Sequence, residues 1–246
     1  MDSQIIKDCL RDYQNAQNIP VVVKDVIPVL WFGDEKAYRK SNLKIVTVGI
    51  NPSFSEFEDK SHLTDVNFRF PGITTYPSIA DYEKAMNGYF WNNPYKKWFN
   101  PIEQALNTIN ASFGGKMSSQ DFGNAAIHID YHAPVATKPV WSHLCPLCVE
   151  SLTNSFSKYF DSLVSELQPD IMIMFGSVGA NFVKTRCSDA IKQTTYRTAK
   201  GKEYHLARYN YQLGNKTVKI ITTPYWSIPF SPYKIAEVCK DLPTLL

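Results

Sequence analysis

The chain has 246 residues, of which 44% are hydrophobic, 20% charged and 13% aromatic, and its formal net charge is +3. This length allows one α/β domain with a full core, and so weak a net charge gives no argument by itself for nucleic-acid binding. No apolar run reaches the roughly 18 residues of a membrane span, the N-terminus lacks a signal-peptide pattern, and five irregularly spaced cysteines argue against a disulfide framework. We therefore expect a cytoplasmic, monomeric protein with no membrane partner.

The first half of the chain predicts two helices, one strand and a long region of loops. Apolar residues at helical spacing predict a helix over 3–16, and residues 1–43 form this helix and a lead-in. The β-branched run at 44–49 predicts a buried strand. Residues 54–100, rich in aromatic residues, Pro and Asn, show little periodicity and predict long substrate loops. A helical face recurs at 98–109.

The second half alternates strands and helices. We predict, in order, a strand at 125–131, a helix at 152–167, a strand at 171–175, a helix entry at 178–184, a hairpin at 203–223 that delivers the fourth strand, and a last helix from 233. Gly214 and Asn215 mark the turn of that hairpin. Strands separated by helices imply a parallel, layered α/β sheet.

The most informative segment, Gly-Ile-Asn-Pro-Ser at 49–53, directly follows the first strand. Gly49 allows a sharp turn and Pro52 blocks a simple continuation, so Asn51 is held on a stiff loop at the carboxyl end of the strand. Open α/β sheets bind their ligands at that edge, where a fixed amide can orient a water molecule. The alternative is that Asn51 only caps or closes a turn.

Three segments together resemble the uracil-DNA glycosylase superfamily. Residues 49–53 are similar to its first motif, above all the Gly-Ile-Asn-Pro-Gly version of the mismatch-specific uracil and thymine glycosylase branch. Residues 229–234 (Pro-Phe-Ser-Pro-Tyr-Lys) resemble the end of its second motif, and residues 169–180 resemble its third strand and helix entry. The resemblance spans residues 27–240. It implies one domain over 1–246, a three-layer α/β/α sandwich with a central four-stranded parallel sheet.

The resemblance also implies roles for the loop after the first strand. Asn51 corresponds to the residue that positions the attacking water. Glycosidic cleavage passes through a cationic, oxocarbenium-like sugar, so neither a covalent nucleophile nor a cofactor is required. Ile50 and Ser53 correspond to residues around the base. Ser53 is small where another branch of the family carries a tyrosine that excludes C5 substituents.

The predicted second strand ends with Asp130, where the family usually has an asparagine that binds a pyrimidine edge. A carboxylate only accepts hydrogen bonds, so it suits the exocyclic amine of cytosine better than O4 of uracil. The alternative is that backbone groups or a salt bridge fix Asp130. Alternation puts His128, Asp130 and His132 on one face, and His132 is a candidate for contact with the base or a phosphate. The outer two are about 13 Å apart along a strand, too far to share a metal ion.

The second-motif region departs from the family pattern. Trp226 stands where other members carry a histidine that stabilises the leaving base, so backbone N–H groups or another side chain must take over that task. Phe230 corresponds to the apolar wedge that fills the hole left by a flipped base, with a core phenylalanine as the alternative. The residues expected to contact DNA are Lys138, Trp226, Ser227, Pro229, Phe230, Ser231 and Lys234.

Aromatic and basic residues complete the predicted DNA-binding surface. Phe68 and Phe70 are candidates for the ring that stacks on the flipped base, and we predict Phe70. Residues 184–219 carry nine Lys and Arg against two acidic side chains, interleaved with tyrosines, which favours a nucleic-acid backbone. A solvated hairpin is the alternative. Cys145 and Cys148 form a CxxC without a second ligand pair and predict buried thiols.

These patterns predict a monofunctional DNA glycosylase that flips a modified pyrimidine and hydrolyses its N-glycosidic bond, leaving an abasic site. Asp130, the small Ser53 and the long aromatic loops favour a cytosine-type base with a bulky C5 group, such as the glucosylated hydroxymethylcytosine of phage DNA, and hence antiviral defence. The alternatives are a uracil or thymine mismatch-repair glycosylase, a catalytically silent nucleic-acid-binding module, which the missing histidine favours, and a small-molecule nucleoside hydrolase.

Overall fold

The structure is a computed structural model that describes residues 1–58, 61, 63–197, 203–223 and 240–246. Seven strands in these ranges form one sheet. They are β1 (Ile45–Gly49), β2 (Ala111–Ser112), β3 (Asn124–Asp130), β4 (Ile171–Phe175), β5 (Lys192–Arg197), β6 (Glu203–Leu213) and β7 (Lys216–Thr223). Six α-helices have both ends in the described residues: α1 (Ser3–Ala16), α2 (Glu35–Lys40), α3 (Ile79–Gly88), α4 (Lys96–Asn107), α5 (Pro146–Leu167) and α6 (Gly176–Arg186). Residues 240–245 are helical as well, and they belong to the last helix expected from 233, whose beginning lies outside the described residues.

The sheet is mostly parallel, and the protein is of the mixed α/β class. The strand order is β2-β3-β1-β4-β7-β6-β5. The strands from β2 to β7 in this order run parallel to one another, whereas β6 pairs antiparallel with both β7 and β5. All five residues of both β1 and β4 are buried, as expected for central strands of a parallel sheet that is covered on both faces.

The sheet has seven strands rather than the expected four. The four strands expected from the sequence are β1, β3, β4 and β7, and they are adjacent in the order β3-β1-β4-β7. The 203–223 hairpin is also present, as β6 and β7. The unexpected strands are the two-residue β2 and the edge strand β5, Lys-Gln-Thr-Thr-Tyr-Arg, whose polar sequence carries no signal of a buried face.

The region 54–100 contains more regular structure than the sequence predicted. Residues 79–88 form α3 instead of loop. The Ser78 side chain caps this helix by accepting a hydrogen bond from the Asp81 backbone N–H, and Tyr82 and Met86, four residues apart, face the core. An N-cap serine followed by an acidic residue three positions later is a recognised start signal for a helix. The sequence analysis missed this signal because the aromatic, Pro and Asn content of residues 54–100 favoured loops.

The cations of the 184–219 segment make contacts within the protein. Five described side chains bind protein oxygens: Lys192 to Thr244 O, Arg208 to Leu245 O, Lys219 to Leu246 O, Lys216 to the Asp170 carboxylate and Arg186 to the Asp161 carboxylate. These contacts account for part of the local positive charge without nucleic acid. They favour the interpretation of this segment as a charged hairpin that is integrated into the fold.

Two further sequence predictions can be compared with the described residues. Cys145 and Cys148 form a disulfide at the start of α5, and Cys145 is exposed, so the prediction of buried thiols is wrong for this pair. None of the described helices combines the length and the apolar character needed to cross a membrane.

Candidate functional site

A pocket of about 390 Å³ lies at the carboxyl ends of the central strands. Gly49 and Asn51 contribute from the end of β1, Asp130 from the end of β3, and Phe175 and Gly176 from the end of β4. Parallel sheets place ligands outside these strand ends, next to the position where the connections change direction. The sheet order therefore explains why residues from three separate segments of the chain line one pocket.

Asn51 is fixed in one orientation by its amide nitrogen. Its Nδ2 donates to Pro52 O at 3.0 Å, Val135 O at 3.1 Å and Thr137 Oγ1 at 3.1 Å. All three contacts use Nδ2, and the side chain lines the pocket. The acceptor side of the amide, Oδ1, is the part that a bound water would use. The same three contacts also fit the alternative in which Asn51 closes the turn.

Asp130 is buried at the pocket wall beside a histidine. Its Oδ1 lies 3.7 Å from His128 Nε2, and His128 Nδ1 lies 2.8 Å from Thr47 Oγ1. The contact with His128 supports the alternative in which a salt bridge fixes Asp130. Burial raises the pKa of Asp130, and the hydrogen bond and charge of His128 oppose that rise. Asp130 thus presents to the pocket a carboxyl that has His128 on one side.

Gly49 makes room for this pair. In the β1–β3 register Gly49 is opposite Asp130, and Thr47 is opposite His128. A Cβ atom at position 49 would lie 2.5 Å from Asp130 Oδ1 and 2.8 Å from His128 Nε2. Both distances are shorter than van der Waals contact, so a side chain at this position would displace the carboxyl and the imidazole.

We expect Gly49→Ala to lower the free energy of unfolding by about 1–3 kcal/mol, the usual cost of forcing an extra methyl group into a packed region. Urea denaturation measures this difference. Gly88→Ala is the control, because a Cβ there would approach only Asn92 Nδ2, at 3.4 Å. If both variants were equally stable, the close packing of Asp130 on Gly49 would be contradicted.

Glu56 also lines the pocket, and the sequence analysis missed it. Its side chain is buried, its Oε2 accepts a hydrogen bond from Tyr89 OH at 2.5 Å, and Arg69 Nε lies 3.4 Å from the same oxygen. Burial raises the pKa of Glu56 to about 7, although Arg69 and Tyr89 both act to lower it; the nearby Asp130 adds to the rise. The sequence Ser53-Phe-Ser-Glu56 is typical of a helix capping box, a structural role that hides such a residue.

The predicted stacking residue, Phe70, is in the wrong place for that role. Its side chain is fully buried, packs against Phe57 at a centroid distance of 5.8 Å and Tyr89 at 5.3 Å, and does not line the pocket. The aromatic side chains that line it include Tyr95, Trp98, Phe99 and Trp141, together with Phe32 and Phe175. These rings offer flat apolar faces to a bound base.

The remaining described candidates lie in or near the same region. Ile50 and Ser53 line the pocket. His132 lies beyond the end of β3 and stacks on Trp141, with ring centroids 4.8 Å apart and planes 8° apart; burial lowers its pKa to about 4. Lys138 is exposed, with its Nζ 4.0 Å from the centre of the Phe54 ring.

The other candidates lie outside the described residues, so their roles stay predictions. They are Trp226, Ser227, Pro229, Phe230, Ser231 and Lys234. Among the residues that the structure does describe, no three His, Cys, Asp or Glu side chains are arranged to hold a metal ion.

Comparison with known proteins adds no assignment. No protein-family model matches this chain, and no curated protein matches it significantly.

Proposed function

We propose that the protein is a monofunctional DNA glycosylase, which hydrolyses the N-glycosidic bond of a flipped pyrimidine and leaves an abasic site. The observation that carries this proposal is the Asn51 amide, which lines the pocket and is anchored through Nδ2 to three acceptors. Such an amide accepts one hydrogen bond from a water molecule and holds its oxygen towards the sugar. Because the sugar becomes cationic as the bond breaks, a positioned neutral water is a sufficient nucleophile.

Asp130 is the group that distinguishes the base. The ionised carboxyl can only accept hydrogen bonds; it lines the pocket, and His128 Nε2 lies 3.7 Å from its Oδ1. The exocyclic amine of a cytosine-type base supplies a donor, whereas O4 of uracil would place two acceptors face to face. Burial of the carboxyl costs free energy that the contact with His128 offsets in part, and the amine of the correct base would offset more of it.

The shape of the pocket is suited to a substituted base. Its volume of about 390 Å³ falls in the range of small-molecule sites, and the rings of Trp98 and Trp141 are available for stacking. Ser53 leaves the loop side without a bulky side chain. These features support a pyrimidine with a large C5 group, such as the glucosylated hydroxymethylcytosine of phage DNA, and a role in antiviral defence.

The strand order supports the fold that the resemblance to the uracil-DNA glycosylase superfamily implies. We interpret the four adjacent parallel strands β3-β1-β4-β7 as the central sheet of a three-layer, uracil-DNA glycosylase-like sandwich. β2 and the β5–β6 pair then extend this sheet at its two edges. The pocket would face DNA, the proposed partner, with Lys138 next to the pocket residue Thr137.

The proposal is tested with duplex and single-stranded DNA that carries one defined base: uracil, a thymine mismatch, hydroxymethylcytosine or glucosylated hydroxymethylcytosine. We expect alkali-sensitive breaks at the glucosylated base, and none at unmodified cytosine in the same sequence. If the protein shifts the DNA in a gel but produces no breaks, the assignment as an enzyme is overturned in favour of the catalytically silent nucleic-acid-binding module. Breaks only at uracil or thymine mismatches would keep the glycosylase and overturn the assignment of the base.

A further inference from the structure

The proposed reaction needs a group that assists the departing base. A cytosine-type base that leaves as an anion is a poor leaving group, but it leaves as a neutral molecule if it takes up a proton as the bond breaks. The sequence has Trp226 where the family that it resembles has a histidine for the leaving base. A proton donor must then come from elsewhere in the pocket.

Glu56 has the geometry of such a donor. Its carboxyl is buried in the wall of the same pocket as Asn51 and Asp130. Tyr89 OH donates to Oε2 and Arg69 Nε lies 3.4 Å from the same Oε2, so both contacts use one of the two carboxyl oxygens. Oε2 therefore anchors the side chain, and Oε1 is the oxygen that would act on a ligand.

We propose that Glu56 is the general acid of this site and donates the proton that the leaving base takes up. This inference rests on the proposed glycosylase function. The C1′–N1 bond breaks with its electron pair moving to the base, and the Glu56 carboxyl protonates a ring nitrogen or the carbonyl oxygen of that base. The water held by Asn51 forms the new C1′–O bond, and the proton it releases returns Glu56 to its acid form through solvent.

The groups around Glu56 are consistent with an acid that is protonated near neutral pH. Burial raises its pKa to about 7, the negative charge of Asp130 adds to this rise, and Arg69 and the hydrogen bond from Tyr89 oppose it. His128 lies beside Asp130 rather than beside Glu56. Two carboxyls in one pocket can therefore have separate roles: Asp130, beside His128, accepts from the amine, and Glu56 donates to the leaving group.

The first test is the pH dependence of excision by the wild-type protein and by Glu56→Gln, which keeps the size and polarity of the side chain. Wild-type excision, measured in single turnovers on the base that the panel identifies, is expected to fall as pH rises through about 7. Glu56→Gln is expected to be slower at pH 6 by roughly 10²-fold, the usual contribution of a general acid, and to lose this descending limb.

The second test uses Tyr89→Phe, which keeps Glu56 and removes the hydrogen bond from the Tyr89 hydroxyl. That bond stabilises the carboxylate, so its loss raises the pKa of Glu56 further, and the descending limb of the wild-type profile should move to higher pH. A purely structural role for the Glu56–Tyr89–Arg69 contacts would change the rate without moving the limb.

The outcomes separate the two proposals. If the wild-type protein excises no base at any pH, the glycosylase function and this inference fall together. If it excises a base, and Glu56→Gln keeps both its rate and its descending limb, only the role of Glu56 is overturned. Thermal unfolding checks that Glu56→Gln is folded; if it is not, an unshifted limb in Tyr89→Phe overturns the inference.

Discussion

Replacing Asn51 with alanine is expected to reduce base excision by roughly 10²- to 10⁴-fold, the range typical for the loss of a positioned proton-accepting group. The physical reason is that the substitution removes Oδ1, the part of the amide that a water in the pocket would use. Single-turnover kinetics with enzyme in excess measure the chemical step separately from DNA binding. DNA affinity itself should change little.

Thr137→Val provides a graded control for Asn51→Ala. Thr137 Oγ1 is one of the three acceptors that hold Asn51 Nδ2, so its loss should loosen the amide without removing Oδ1. We expect a reduction in rate of about tenfold, as for other small losses of orientation at a reacting centre. Urea denaturation of both variants separates these effects from unfolding. Full activity in a folded Asn51→Ala protein would contradict the role of Asn51 in positioning the attacking water.

Asp130→Asn is expected to shift preference from cytosine-type towards uracil-type bases. The amide can donate to O4, which the carboxylate cannot, and it accepts less strongly from an exocyclic amine. The ratio of kcat/KM values for the two base types should fall by roughly 10- to 100-fold, which corresponds to about 1–3 kcal/mol of discrimination. Competition between two labelled oligonucleotides in one reaction measures this ratio directly. An unchanged ratio would remove the edge-reading role of Asp130.

Asp130→Asn is not expected to destabilise the folded protein, and this serves as the internal control for its effect on base preference. Because burial raises the pKa of Asp130 above its unfolded value, the ionised carboxyl destabilises the folded state once the pH exceeds the unfolded pKa. Below that pH both states are protonated and the penalty is absent. Asparagine carries no charge at any pH, so Asp130→Asn should be at least as stable as the wild type at pH 7. If Asp130→Asn changes the base preference and is as stable as the wild type, the change in preference comes from the pocket and not from partial unfolding.

The sequence predicted the central sheet because its strands carry strong local signals. Continuous β-branched or apolar runs mark β1 and β4, and Gly214-Asn215 marks the turn between β6 and β7. The signals fail where an element depends on its neighbours. The polar β5 becomes a strand through its pairing with β6, and no periodicity within its own six residues indicates this.

The candidate site was predictable where it lies at strand ends and unpredictable where it comes from loops. Asn51 and Asp130 follow directly from the ends of β1 and β3, and both line the pocket. Phe70 was misplaced because the sequence cannot tell which ring of an aromatic segment faces inward. Glu56 and Trp98 reach the pocket through the path of residues 54–100, which only tertiary packing determines.

Because Trp141 lines the pocket and stacks on His132, its indole fluorescence can report on the occupancy of the pocket. Trp141 lines the cavity, while the pKa of His132 is lowered to about 4, so the imidazole stays uncharged across the neutral range. A pH-dependent change in indole emission near pH 7 would therefore not arise from titration of this histidine. Because the chain has five tryptophans, the difference in emission between the wild type and Trp141→Phe isolates the signal of Trp141, and this difference can be used to follow the entry of a base without a label.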